Sequence, residues 1–324
     1  MGRERRFSPS GVSERPVKYL KEQAMPKLAG LIAICTMLTL SGCNLDVLDP
    51  KGSVGLAERH LIWTSTWIML IVVIPVIILS LFFAWRYRAT NKSADYQPGW
   101  THSTKIEIVV WTIPTLIIIF LAWITWTSTH ELDPYRPLES SVKPINVEVV
   151  ALDWKWMFIY PDLGIATVNQ VAFPVDTPVN FDVTSDAVMN SFFIPQLGGQ
   201  IYAMAGMKTG LHLIANSAGD YAGLSANYSG AGFSDMKFRA LALSPADFDA
   251  WVAKVKAAPQ QLDANTYKSV AAASIAAPVQ YFSKVDGDVF GNIVAKYNVG
   301  AEKDMGGMNM GGMSMPAAAS APRG

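Results

Sequence analysis

The sequence predicts a two-helix membrane hairpin followed by an all-β sandwich, with short C-terminal helices and a disordered tail. Three observations carry this. Only 16% of the 324 residues are charged, against about 25% in an ordinary soluble domain. Two long runs near the N-terminus contain no charge at all. Beyond residue 144, short β-branched runs are punctuated by Pro, Gly, Asn and Asp at the spacing of a sandwich. Lys+Arg and Asp+Glu balance at 26 each. That excludes a basic nucleic-acid binder and a charge-rich disordered chain. Two cysteines exclude a disulfide framework and a zinc ribbon.

The first apolar run, residues 28–40, is too short to span a bilayer, which takes about 20 residues. Arg3, Arg5, Arg6, Arg15, Lys18, Lys21 and Lys27 precede it, and Leu40-Ser41-Gly42-Cys43 follows it. A basic region, a short apolar region and small residues before a cut describe a secretory signal. The ending resembles a bacterial lipoprotein signal, so residues 1–42 are read as a signal peptide. Cys43 is then the lipidated new N-terminus, the palmitate-bearing site of a lipoprotein. Met25 is an alternative start.

Residues 61–85 and 108–129 carry no charge. As helices they reach about 37 and 33 Å, enough for a hydrocarbon core of about 30 Å. Spans are predicted at 61–87 and 106–129, after an external segment 43–60. Trp63, Trp67, Trp85, Trp123 and Trp126 fall toward the ends, as interfacial anchors do. Pro75 and Pro114 lie mid-span, tolerated where neighbours repair the backbone. The loop 88–105 and its flank hold Arg86, Arg88, Lys92 and Lys105 against Asp95. Such an excess marks the cytoplasmic side. Cys43 and everything from residue 130 then lie outside a bacterial inner membrane.

Residues 130–243 are predicted as the sandwich, with strands at 145–152, 168–173, 179–184, 211–214 and 237–243. Ser244-Pro245-Ala246-Asp247 then reads as a helix start: Ser as N-cap, Pro at the first position, Asp in the first turn. The region 244–300 is predicted to hold helices at 248–257, 267–276 and 289–297. Residues 301–324, rich in Met, Gly and Ala, read as a disordered tail.

Three segments carry a family resemblance. They are Asp153-Trp154-Lys155-Trp156, the run 189–198 (MNSFFIPQLG) and the run 225–236 (SANYSGAGFSDM). Two spans before a cupredoxin-like sandwich with these segments resemble subunit II of the haem-copper respiratory oxidases. In its copper-bearing members the sandwich holds a binuclear centre. The ligands are a His ahead of an aromatic-aromatic-x-Pro run, then Cys-x-x-x-Cys-x-x-x-His-x-x-Met. Here the first His falls on Asn190, the cysteines on Ser225 and Ser229, and the second His on Phe233. The glutamate whose carbonyl ligates copper falls on Asn227. Met236 alone matches. Two coppers sharing charge need bridging thiolates, and soft copper favours sulfur and imidazole. The spacing is kept and the ligand chemistry is not, so Met236 is read as core packing.

That loss resembles the bo-type ubiquinol oxidases in particular. The resemblance implies a subunit with no cofactor of its own, beside a haem- and copper-bearing subunit I and subunits III and IV. It implies a proton-pumping complex that oxidises ubiquinol with oxygen, in membrane lipid, without a soluble cytochrome c. Glu107, in His102-x-x-x-x-Glu107, falls where the family has a carboxylate at the mouth of a proton path. The rival reading is a charge suited to a helix N-terminus. His102 reads as a loop residue or cap. Trp154 and Trp156 read as packing, and His60, His130 and His212 as structural. Met305, Met308, Met310, Met313 and Met315 offer thioethers to Cu(I), but lack His or Cys nearby. Two rivals stand beside the main reading: a copper-carrying cytochrome c oxidase subunit II, and a stand-alone copper-binding lipoprotein.

Overall fold

The computed structural model of the chain describes residues 46–95 and 99–306. The leader, Cys43 and the tail from residue 307 lie outside the described residues. Helix α1 is Ser53–Arg86 and helix α2 is Thr104–Glu131. Both outrun the apolar stretches. α1 begins eight residues before residue 61, within the segment expected as an external lead-in. Leu56, Ala57, Glu58 and Arg59 are good helix formers, and an extended Gly52 precedes them. Both helices turn apolar side chains outward, with Trp67 63% and Trp111 75% exposed. A soluble core helix would bury them; two such helices suit lipid.

Eleven strands follow among the described residues, in two sheets. They are β1 (Ile145–Leu152), β2 (Lys155–Tyr160), β3 (Ile165–Val168), β4 (Gln170–Pro174), β5 (Val179–Ser185) and β6 (Asn190–Phe193). Then come β7 (Gln200–Ala203), β8 (Thr209–Leu213), β9 (Gly219–Ser225), β10 (Lys237–Leu243) and β11 (Gln280–Phe282). One sheet runs β11-β3-β2-β1-β5-β8, the other β4-β10-β9-β6-β7. β1 pairs parallel with β5, and β10 with β4. The inner faces meet over Trp156, Phe158, Phe181, Phe192 and Phe238. Phe192 and Phe238 stack at 5.1 Å and 6°. This is a cupredoxin-like sandwich.

The expected strand 168–173 proves to be two strands in different sheets. Asn169 takes the left-handed backbone (φ 57) between them, which Asn tolerates. Its side chain fixes the turn. Oδ1 accepts from the Trp156 amide at 2.9 Å, and Nδ2 donates to the Ala277 carbonyl at 2.8 Å.

The C-terminal region packs on the sandwich. α3 (Pro245–Lys256) starts as expected, the Asp247 amide donating to Ser244 Oγ at 3.2 Å. It sends Phe248, Trp251 and Val255 into the main core. α4 (Ala264–Ala271) is capped by Asp263 and ends five residues short of the expected helix, where Ala272 turns extended toward Pro278. α5 (Val289–Gly306) runs six residues into the segment expected as tail. α4 and α5, with the segment before α4, cover the outer face of the six-stranded sheet, whose edge strand is β11. Leu262, Val270, Phe282, Phe290 and Ile293 bury Val150, Leu152, Met157 and Ile159 there.

Candidate functional site

The six positions of the altered ligand pattern gather at one end of the sandwich. β6 starts at Asn190 and β9 ends at Ser225, neighbours in one sheet with Phe192 opposite Ser225. The loop 226–236 closes over them, its Met236 carbonyl accepting from the Ser225 amide at 3.2 Å. Ser225 Oγ donates to Asn190 Oδ1 at 3.1 Å, and the Asn227 carbonyl lies 3.3 Å from the same hydroxyl. Asn190 Nδ2 donates to the Val188 carbonyl at 2.8 Å, and Asn227 Nδ2 to the Met189 carbonyl at 3.0 Å. Ser229 Oγ points its hydrogen at Met236 Sδ, 3.9 Å away. Met236 is buried in the main core. The Phe233 ring lies edge-on to Tyr228 at 5.6 Å.

These contacts answer whether a binuclear copper centre fits. The donors are two hydroxyls, two amides and one thioether; the amides and the Ser225 hydroxyl are tied to one another and to backbone carbonyls, and the Ser229 hydroxyl faces the thioether. None is a thiolate or an imidazole, so the set does not suit two charge-sharing coppers. Among the described residues, no three His, Cys, Asp or Glu side chains come together in a way that would hold a metal.

Trp154 holds the loop from below. It sits at φ 62, a costly backbone for a bulky residue. Its indole N–H donates to the Ser229 carbonyl at 3.0 Å. Gly232 lies so close over the ring that a Cβ would stand 2.5 Å from it. Trp156, by contrast, is core, edge-on to Phe192 and Phe238.

Sequence reasoning missed a second constellation beside this end. Asp186, just after β5, has a carboxylate only 5% exposed. It accepts from Tyr267 Oη and Lys296 Nζ, each at 2.6 Å, and from Tyr297 Oη at 2.9 Å. Burial alone would raise its pKa. Hydrogen bonds from Lys296, Tyr267 and Tyr297 outweigh that and hold it below the usual range. The partners lie 81 to 111 residues away, so no local spacing announces them.

At the other end of the chain's hairpin, Glu107 stands in the first turn of α2. His102 Nδ1 lies 3.4 Å from Glu107 Oε1, both side chains exposed. The structure thus brings His102, read as a loop residue or cap, to the carboxylate. His130 lies against Trp126, ring centroids 4.6 Å apart. His212 shares a 2.7 Å hydrogen bond with Asn180 Oδ1.

A two-helix anchor carrying a cupredoxin-like sandwich, with this loop at its tip, defines the class of subunit II of the respiratory oxidases. The family model described as cytochrome c oxidase subunit II, periplasmic domain, matches residues 162–241. The COX aromatic rich motif matches residues 256–301. Cytochrome bo(3) ubiquinol oxidase subunit 2 of Pseudomonas putida is 59% identical over 90% of this chain and 90% of its own. The protein of the same name from Pseudomonas aeruginosa is 59% identical over 82% and 80%. Ubiquinol oxidase subunit 2 of Acetobacter aceti is 58% identical over 88% and 93%. The chain belongs to the family of subunit II of the bo-type ubiquinol oxidases.

Proposed function

We propose that this chain is the non-redox subunit II of a proton-pumping oxidase that passes electrons from ubiquinol to oxygen, giving quinone and water. It anchors and completes a haem- and copper-bearing subunit I, with subunits III and IV, and has no catalytic activity alone. The observation that carries the reading is the hydrogen-bonded Asn190–Ser225–Asn227 set at a position built for copper. A subunit that relays no electrons has no need of thiolates there. A lipid-soluble donor, oxidised within the membrane, needs no soluble cytochrome c. The signal peptide 1–42 is removed and Cys43 is lipidated, which holds the N-terminus and the sandwich on the outer side of the inner membrane.

Glu107 is the proton-entry residue in this reading. A carboxylate at the cytoplasmic end of α2 gathers protons and passes them to water, and the nearby His102 imidazole supplies a second exchangeable site.

The test is purification through a tag on this chain from detergent-solubilised membranes. The expected preparation contains haem, oxidises ubiquinol and lacks the visible absorption of a thiolate–copper pair. A preparation without haem would point to a stand-alone lipoprotein and sink the reading. The copper absorption, retained after weakly held metal is removed, would revive the electron-carrying rival.

A further inference from the structure

Lys155 opens β2, and its side chain crosses to the outer face of the six-stranded sheet, beneath α4. It is only 3% exposed. Its ammonium donates to the Val270 carbonyl at 2.8 Å and to the Ala272 carbonyl. These are orphan acceptors at the end of α4, where a cation suits the helix dipole. That explains two of its three N–H groups. It does not supply a counter-ion. Asp153 favours the charged form through space, yet makes no ion pair with it. Burial is the larger influence and pushes the ammonium below its usual pKa. A buried charge met only by neutral dipoles is costly.

Lys155 also lines a cavity of about 690 Å³, walled by α4, the 272–278 loop and β11. The size is within the range of small-molecule sites. Its walls carry no carboxylate; they carry Gln260, Gln261, Ser269, Ser274 and Gln280 beside Lys155. The exposed Gln261 side-chain amide and the half-buried Ser274 hydroxyl make no hydrogen bond within the described residues and are open to a ligand. A buried cation, accessible neutral donors beside it and no acid on the walls are what an anionic oxygen requires.

We propose that this cavity binds a small oxyanion, the carboxylate or phosphate group of a soluble ligand, over Lys155. Gly52, just before α1, bridges to Ala215 beside the Val179 end of the sheet, whereas Lys155 pairs with Leu152 at the opposite end. The site therefore lies at the end of the sheet away from the hairpin, and no lipid headgroup is invoked. An anion seated there ties the 272–278 loop to the sheet and stiffens the C-terminal region that also reaches Asp186.

The experiment is hydrogen exchange on the purified, full-length complex, in inorganic phosphate, in acetate and in chloride at matched ionic strength. Exchange across residues 264–282 is expected to slow about tenfold when the anion stands tenfold above its dissociation constant. The arm that responds names the group, phosphate or carboxylate. Lys155→Arg should keep the response. Gln261→Glu places an acid on the wall without touching the Lys155 contacts, and should abolish it. Equal slowing in chloride would reduce the effect to an adventitious ion only. No slowing in either oxyanion, or slowing that survives Gln261→Glu, would overturn the proposal.

Discussion

Glu148 is a residue whose ionisation opposes the fold. It lies on β1 opposite Asp182 of β5. Burial comes first in pushing its pKa up to about 7; the charges of Asp288 and Asp182 add to this, and Lys208 opposes them. Lys208 is engaged elsewhere, 2.8 Å from Asp182. The folded state thus keeps a proton that the unfolded chain has released above about pH 4.5. Stability falls as pH rises from there through 7. Glu148→Gln removes the penalty. The variant should unfold at a higher temperature than wild type at pH 8, by a gain of about 1–2 kcal/mol after solvent screening. At pH 4 the two should coincide, and a gain of equal size at both pH values would refute the assignment.

At the scale of elements, the C-terminal region is held by a second core and one polar latch. The core is apolar, but the direction of α5 is fixed by Lys296 and Tyr297 at Asp186, with Tyr267 of α4 on the other oxygen. The folded carboxyl lies below its usual pKa, so the latch contributes above the ordinary carboxylate range. That contribution is lost as pH falls through the folded value. Asp186→Asn leaves one carbonyl for three donors and should cost about 1–3 kcal/mol. Hydrogen exchange in 289–298 should quicken at pH 7 while β1 and β5 keep their protection. Uniform loosening of the whole sandwich would contradict a local latch.

Some elements with an exposed face or a capping signal were legible in the sequence; β9 was not, because Ala222 on its exposed face and Gly223 on its buried face leave little polar contrast. β1, β5 and β10 alternate, and Ser244-Pro245 announces α3. β2 was not: it is buried along its whole length because both faces of its sheet are covered, so no alternation remains to read. β6, β7 and β11 are three or four residues long, below what periodicity resolves. The ligand-position cluster was legible because its spacing survived. The Asp186 latch and the Lys155 cavity were not, since they depend on side chains meeting across 81 to 117 residues.

Across the whole molecule, the outer end of α1 is welded to the sandwich rather than tethered to it. The Gly55 amide donates to the Leu197 carbonyl at 3.0 Å, and the Gly199 amide to Glu58 Oε1 at 3.0 Å. Gly198 sits at φ 89, where a Cβ would stand 2.8 Å from Gly55 Cα. Such a joint transmits the position of the hairpin to the sandwich and leaves the opposite, cytoplasmic end free to serve a different task. There Glu107 and His102 are exposed on the surface. If Glu107 feeds protons to the assembled oxidase, Glu107→Gln removes the titrating site and keeps its size and hydrogen bonding. Haem content and assembly should match wild type, because an exposed amide at a helix start costs little. Turnover at saturating ubiquinol should fall several-fold, mainly in the steps that load protons during reduction of the haem–copper site. The loss should be partial, since water still delivers protons more slowly. Glu107→Asp keeps the charge one methylene back and should fall between the two. Any dipole contribution, about 0.3–1 kcal/mol, is lost under either reading, so turnover decides: a charge that merely suits the helix start predicts that Glu107→Gln leaves turnover unchanged at matched haem content.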